Sequence, residues 1–176
     1  MAMHLIIDGY NLLAVMGGGD RTLLPSERTR ESLLLDLAAY RQRKGHAITV
    51  VFDGWQQGQP IEGHEHRAGL QVIYSKRGER ADQVIQRLAR DYGADCAVVS
   101  SDREIVNHAK AHGAFVMGAR EFSEKIRSRT QPGGILVNKE LDTGEDVSPR
   151  RGPGKKGNPR KLPKSLRQRS RQLRRF

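Results

Sequence analysis

The sequence of 176 residues has only one cysteine and no long hydrophobic run. The single thiol, Cys96, excludes a disulfide framework and a cysteine-based zinc site. No segment approaches the ~20 apolar residues that cross a bilayer, and the N-terminus lacks the basic start and small-residue cleavage site of a signal peptide. We therefore expect a soluble cytoplasmic protein without a membrane partner.

Acidic residues are absent from the C-terminal end of the chain. None of the 20 Asp and Glu residues follows Asp146, whereas twelve of the 31 Lys and Arg residues lie in 149–176. The net charge of +11 therefore belongs to the tail, and residues 1–148 are nearly neutral. We predict a domain over 1–147 and a basic tail over 148–176, rich in Pro and Gly and disordered in isolation.

The tail is predicted to bind RNA, because clustered positive charge attracts polyanions and releases their counterions. A merely solubilising end and an anionic membrane surface are the alternatives, and both are less favoured. The RNA-binding residues predicted in the tail are Lys155, Lys156, Arg160, Lys161, Arg167, Arg169, Arg171, Arg174 and Arg175.

Short apolar, β-branched segments alternate with longer segments of helical period. This alternation predicts an α/β fold with a central, mainly parallel five-stranded sheet flanked by helices. Residues 131–147 are either one more strand or an arm packed on the domain. The predicted strands are 3–7, 47–52, 70–75, 96–100 and 114–118, and the predicted helices are 26–44, 81–92, 101–113 and 120–129.

Four aspartates lie where predicted strands end or the following helix begins. Asp8 and Asp53 directly follow the first two strands, Asp82 opens the helix after the third, and Asp102 follows the fourth. Function in open parallel sheets collects outside the carboxyl ends of the strands. We therefore expect these four carboxylates to share one crevice.

Carboxylates that converge repel one another and recruit cations, and an all-oxygen site suits Mg²⁺ or Mn²⁺. Such a site supports metal-assisted hydrolysis of phosphodiesters, and Asn11 could orient a metal-bound water or a phosphate. For Asp82 and Asp102, taken singly, a helix N-cap or a partner of the helix dipole is the more common role. For Asp53 before Gly54, a simple turn residue is the alternative.

Four segments, "LIIDGYNLL", "ITVVFDGW", "ADQVIQRLA" and "CAVVSSDREI", occur in this order and spacing. Together they resemble the NYN domain of the YacP-like proteins, a branch of the PIN-like nuclease superfamily. The resemblance covers about residues 3–130. It implies a PIN-like three-layer fold and a metal-dependent RNA endonuclease without a small-molecule cofactor.

The resemblance also implies roles for individual residues. Asp8 and Asp82 match the core metal-binding acids, Asp102 matches the acid of the Ser/Thr-x-Asp segment, and Asn11 matches the polar partner of Asp8. Asp53 matches the acid after the second strand. Relatives include proteins that act on messenger RNA at the ribosome, so the resemblance implies mRNA and the ribosome as expected partners; the role of the tail is not implied.

Side chains near the acids are candidates for holding RNA. Arg77, Arg80 and Arg103 could bind phosphates, although a solvated face is the more common role for such residues. Tyr10 and Trp55 could stack on unpaired bases or pack at the rim of the site.

Several other patterns have simpler interpretations. His108 and His112 have the spacing of a zinc pair but lack a third ligand, so exposed helix histidines are favoured. "HEH" at 64–66 is assigned to a polar loop, and "MGGGDR" at 16–21 to a flexible loop or lid.

Two other functions compete with the nuclease. One is a non-catalytic RNA-binding or ribosome-associated module with a relic acidic pocket. The other is a phosphatase of the haloacid dehalogenase type, which is disfavoured because Tyr10 stands where its second Asp would be.

Overall fold

The computed structural model of the protein describes residues 3–17, 26–54 and 60–127, and these residues form a sheet with helices around it. The strands are β1 His4–Asp8, β2 Ala47–Phe52, β3 Gly63–Arg67, β4 Leu70–Tyr74, β5 Cys96–Val99 and β6 Phe115–Met117. The α-helices are α1 Gly9–Gly17, α2 Glu27–Lys44, α3 Ala81–Tyr92, α4 Arg103–Ala111 and α5 Ala119–Arg127, and a short 3₁₀ turn spans Gly93–Asp95.

The strands lie in the order β3-β4-β2-β1-β5-β6. All neighbouring strands are parallel except β3 and β4. The register sets Ile6 of β1 beside Thr49 of β2 on one side and Val98 of β5 on the other. Since β2 and β5 flank β1 on opposite sides, the order of the chain reverses at β1, and ligands of open α/β sheets bind at such a reversal.

Helices cover the sheet in two groups. One group is α3 and α4, which pack against each other, and α3 also packs on β1 and β5. Their core includes Ile6, Val51 and Val98 from the strands. The other group is α1, α2 and α5, and there the Tyr40 and Phe122 rings meet edge to face with centroids 5.2 Å apart. Strands with apolar residues on both faces are typical of a sheet covered on both sides.

The expected α/β architecture is confirmed, with one strand more than predicted. β3 pairs antiparallel with β4 through a two-residue turn in which Ala68 and Gly69 both have positive φ. The assignment of residues 64–66 to a loop is therefore wrong. Four of the five residues of β3 are exposed, so this edge strand carries no apolar alternation that would mark it in the sequence.

Helix ends follow local capping chemistry. Ser26 accepts a hydrogen bond from the backbone N–H of Thr29, and Gly45 ends α2 in the left-handed conformation. Helix α1, which begins directly after Asp8, is an element that the sequence analysis does not predict. Asp102 caps α4, so this helix begins at Arg103 and not at residue 101 as predicted.

The chain divides into the units Met1–Gln131 and Pro132–Phe176. The second unit includes the predicted arm at 131–147 except its first residue, and all of the predicted tail, and it lies outside the described residues. The domain boundary at 147 therefore stays a prediction, as does the end of the last helix at 128–129. Of the loop predicted at 16–21, Met16 and Gly17 instead lie in α1, and 18–21 stays a prediction. None of the described helices is long and apolar enough to cross a membrane.

Candidate active site

Asp8 stands at the carboxyl end of the central strand, where the strand order reverses. Only 8% of the residue is exposed. Its Oδ1 accepts a hydrogen bond from the backbone N–H of Asn11 at 3.1 Å, and its Oδ2 accepts one from the Ser100 hydroxyl at 3.3 Å. The first contact ties Asp8 to the start of α1 and the second ties it to the end of β5.

The charge of Asp8 is poorly compensated despite these two hydrogen bonds. The pKa of Asp8 is raised from 3.8 to about 6, mainly by burial and also by the nearby charges of Asp82 and Asp102, against the lowering effect of the hydrogen bonds from Asn11 and Ser100. Desolvation and like charge both disfavour an ionised carboxylate. Three of the four predicted acids are therefore close enough to influence one another.

Ser100 connects two of these acids and was not assigned a role from the sequence. Its side chain is fully buried, and its hydroxyl donates to Asp8 while it accepts the backbone N–H of Asp102 at 3.1 Å. Asp102 in turn accepts the N–H groups of Glu104 and Ile105 at the start of α4. The N-cap role considered for Asp102 is thus real, and it also fixes the carboxylate beside the site.

Asp82 lies in the first turn of α3 and is partly exposed. Its Oδ2 pairs with the guanidinium of Arg80 at 3.0 Å. Burial raises the pKa of Asp82, the charge of Arg80 lowers it, and the charges of Asp102, Asp53 and Glu104 raise it. A helix N-terminus also favours negative charge at this position. Arg80 therefore already neutralises a carboxylate in this structure.

Asp53 belongs to the same electrostatic group through Asp82. Its Oδ1 accepts a hydrogen bond from the Ser75 hydroxyl at 3.3 Å, and the same Ser75 oxygen accepts the backbone N–H of Gly54 at 2.9 Å. Ser75 follows β4, the neighbour of β2, so it holds the turn after β2 from the adjacent strand. Like Ser100, it is a buried hydroxyl at a strand exit, and this position is the signal by which both could have been found.

Asn11 and Gly9 shape the chain around Asp8. The Asn11 carboxamide oxygen accepts the backbone N–H of Ser101 at 3.2 Å, which joins α1 to the segment before α4. A Cβ on Gly9 would lie 2.4 Å from the ring of Phe52, a buried residue. Glycine is therefore required here because the aromatic ring occupies the space of a side chain.

The donor set fits a hard divalent cation that keeps most of its waters. All the acids offer oxygen, and their mutual repulsion makes added positive charge favourable. In the described ranges, no three His, Cys, Asp or Glu side chains converge as a ready-made metal cage. Mg²⁺ needs no such cage, because proteins usually bind it through one or two carboxylates, with waters and substrate phosphates completing its shell.

The other predicted residues differ in exposure and contacts. Arg77 and Arg103 are exposed, and Tyr10 is half-buried with its ring edge to face with Phe52, centroids 5.3 Å apart. Trp55 and the basic residues predicted in the tail lie outside the described residues. The His108 and His112 rings stack at 4.3 Å, and His112 Nδ1 lies 2.9 Å from the His108 carbonyl oxygen.

Comparison with known proteins identifies the family. The model of the YacP-like NYN domain matches residues 5–150. The chain belongs to the YacP-like NYN family. The protein YacP of Bacillus subtilis (strain 168), described as uncharacterized, is 28% identical over 129 residues, which cover 70% of this chain and 75% of the relative.

Solved structures of a family member agree with this assignment. A crystal structure of a mutant of Rae1 (YacP) from Bacillus subtilis matches with a TM-score of 0.57 and 28% identity, over 71% of this chain and 74% of that chain. A second Rae1 (YacP) structure matches with a TM-score of 0.56 and 25% identity, over 74% and 78% of the two chains. The predicted resemblance is thereby confirmed, and with it a PIN-like nuclease ancestry.

The YacP-like NYN assignment carries coarse functional implications. The family is one of nucleases, its members are typically metal-dependent, and an RNA substrate is the implied partner. The electrostatic coupling of Asp8, Asp82 and Asp102 at the reversal of the strand order is the feature of this YacP-like chain that agrees with such chemistry.

Proposed function

We propose that the protein is a metal-dependent RNA endonuclease that hydrolyses phosphodiester bonds. The observation that carries this proposal is the buried carboxylate of Asp8, whose pKa is raised to about 6 by burial and by the charges of Asp82 and Asp102. Such a carboxylate destabilises the fold at neutral pH unless a cation is bound nearby. A carboxylate whose pKa is perturbed by burial and by specific neighbouring charges is typical of a functional site.

Asp8, Asp82 and Asp102 would hold the metal ion, with Asp53 contributing through its effect on Asp82. Mg²⁺ or Mn²⁺ bound there would neutralise charge on the phosphate and lower the pKa of an attacking water. The hydrogen bonds from Ser100 and from the Asn11 backbone fix the Asp8 oxygens before substrate arrives. Preorganised ligands of this kind need no rearrangement during the reaction.

RNA is the substrate that we propose, with mRNA on the ribosome as its context. Arg77 lies in the turn before α3 and Arg103 directly follows Asp102; both are exposed and would contact phosphates, with Arg80 doing so alongside its pair with Asp82. Tyr10 and Trp55 would stack on unpaired bases. The basic tail over 148–176 would dock the enzyme on RNA through charge alone.

The test is cleavage of single-stranded RNA and of mRNA in translating ribosomes, with Mg²⁺, with Mn²⁺ and with EDTA. We expect internal cleavage that requires the metal and falls at least 100-fold in Asp8→Asn and Asp82→Asn. Asp95→Asn is the matched control, because Asp95 is exposed in the 3₁₀ turn before β5, at the opposite end of that strand from Ser100. It should cleave like the wild type.

Two outcomes would overturn the proposal. Cleavage that persists in EDTA, or that is unchanged in both carboxylate variants, would place the activity elsewhere or in a contaminant. RNA binding without cleavage on either substrate would favour the non-catalytic RNA-binding module.

A further inference from the structure

A polar groove lies beside the acids, between the turn after β4, helix α3 and helix α4. We call it the α3 groove. Its volume is about 510 Å³, in the range of about 300–1,000 Å³ that is usual for ligand sites. The residues that line it and enter the argument are Lys76, Glu79, Gln83, Gln86, Arg87 and Arg90, and His108 borders it from α4.

The groove begins where the acidic group ends. Gln83 directly follows Asp82 in α3, and Gln86 donates from Nε2 to Glu104 Oε1 at 3.4 Å. Glu104 is one of the charges that raise the pKa of Asp82. From Gln83 to Arg90 the helix extends for two turns, about 10 Å, away from the acids. A strand cleaved at the acids therefore has a continuous polar surface along α3.

The charges of the groove differ in how far they are already neutralised. Arg87 is held by Glu79 at 3.0 Å and by Glu62, so it serves as an internal tie. Among the residues that the structure describes, Arg90 pairs only with its exposed neighbour Asp91, at 3.1 Å, and such surface pairs are weak. Lys76 has no carboxylate partner among the described residues. Lys76 and Arg90 are therefore the cations available to an anionic ligand.

We infer that the α3 groove holds the phosphate backbone of single-stranded RNA on one side of the cleaved bond. The inference rests on the proposed function and adds to it the path of the substrate. Lys76 and Arg90 supply charge, and Gln83 and Gln86 supply amide groups that suit phosphate and sugar oxygens. None of the lining residues named above has an apolar side chain, which disfavours a hydrophobic ligand.

The test measures binding and not cleavage. Full-length protein carrying Asp8→Asn is titrated with a 12-nucleotide single-stranded RNA in EDTA at several salt concentrations, by fluorescence anisotropy. The same background then carries Lys76→Ala with Arg90→Ala. Arg28→Ala with Arg43→Ala is the matched control, since both residues are exposed on α2. Arg43 also lies in the last turn of its helix, as Arg90 does.

Each phosphate contact adds about 0.7 to the slope of log affinity against log salt for a single strand. Loss of two contacts therefore makes the slope shallower by about 1.4. If the variant and its parent bind equally at 1 M salt, the variant then binds about 25-fold more weakly than its parent at 0.1 M salt. We expect this change in the groove variant and a smaller one in the control. A 4-thiouridine oligonucleotide should also crosslink to the peptide spanning 76–90.

Equal slopes in the groove variant and the control, or crosslinks that leave 76–90 unlabelled, would overturn the inference. The proposed nuclease function would survive that result, because it is judged by metal-dependent cleavage. Conversely, if the protein does not cleave RNA but the groove variant shows the slope change, the inference on the α3 groove stands and the proposed nuclease function is refuted.

Discussion

Replacing Asp8 with Asn should make the protein more stable while it abolishes the proposed activity. Burial is the main cause that raises the pKa of Asp8 from 3.8 to about 6. The folded state therefore binds the proton of Asp8 more tightly than the unfolded state does. It follows that the contribution of Asp8 to stability falls as pH rises from about 4 to about 6, and then stays constant.

The size of this effect follows from the same values. A pKa difference between 3.8 and 6 corresponds to about 3 kcal/mol at pH 7.5, and to about 1 kcal/mol at pH 4.5, where most of the folded protein is protonated at this site. These values are upper limits, because both oxygens of Asp8 accept hydrogen bonds, from Asn11 N–H and from the Ser100 hydroxyl, whereas Asn has only one acceptor oxygen. The NH₂ group of Asn would therefore replace the oxygen that accepts from Ser100 and would need a new acceptor. The expected gain in the free energy of unfolding is about 2–3 kcal/mol at pH 7.5.

Urea unfolding in EDTA at the two pH values measures the gain directly. Asp95→Asn serves as the control, and as an exposed substitution it should change the free energy of unfolding by less than about 0.5 kcal/mol. Mg²⁺ at millimolar concentration should stabilise the wild type but not Asp8→Asn, since a ligand of the folded state stabilises it by mass action. A variant that is no more stable at pH 7.5, or a gain independent of pH, would refute the reasoning.

Two further substitutions test the surroundings of the site. Gly9→Ala should destabilise the fold by about 1–3 kcal/mol, because the new Cβ meets the ring of Phe52 at 2.4 Å. Gly17→Ala is the control and should not destabilise the fold, because a Cβ there has nothing within 4 Å. Thermal unfolding measures the difference, and equal melting temperatures of the two variants would contradict the steric argument. Arg80→Gln should raise the pKa of Asp82 further, because the Arg80 charge lowers it; carboxyl NMR titration would show this, and an unchanged or lowered pKa would contradict it.

The parts of the fold that were predictable are those in which burial determines the sequence. β1, β2 and β5 are apolar on both faces, and they were found from their composition. β3 has one partner and faces solvent, so neither burial nor period marks it. The sequence of the turn after β3 does not indicate a hairpin either, because Ala68 adopts a φ of 51° at a position where Asn or Asp is usual.

Only those parts of the site that follow from the sequence of a single strand and the residues after it were predictable. Asp8, Asp53 and Asp102 follow apolar runs, Asp82 opens the helix after such a run, and the parallel topology then brings the runs together. Ser100 is different, because its role depends on a neighbour 92 residues away in the sequence. Its hydroxyl would be an ordinary strand end if β5 did not lie beside β1. Some buried polar residues lie at the exit of a strand that neighbours the reversal in strand order. Such a residue is therefore a better candidate for supporting an acid than its own sequence context indicates. Ser75 beside Asp53 has the same position relative to β2.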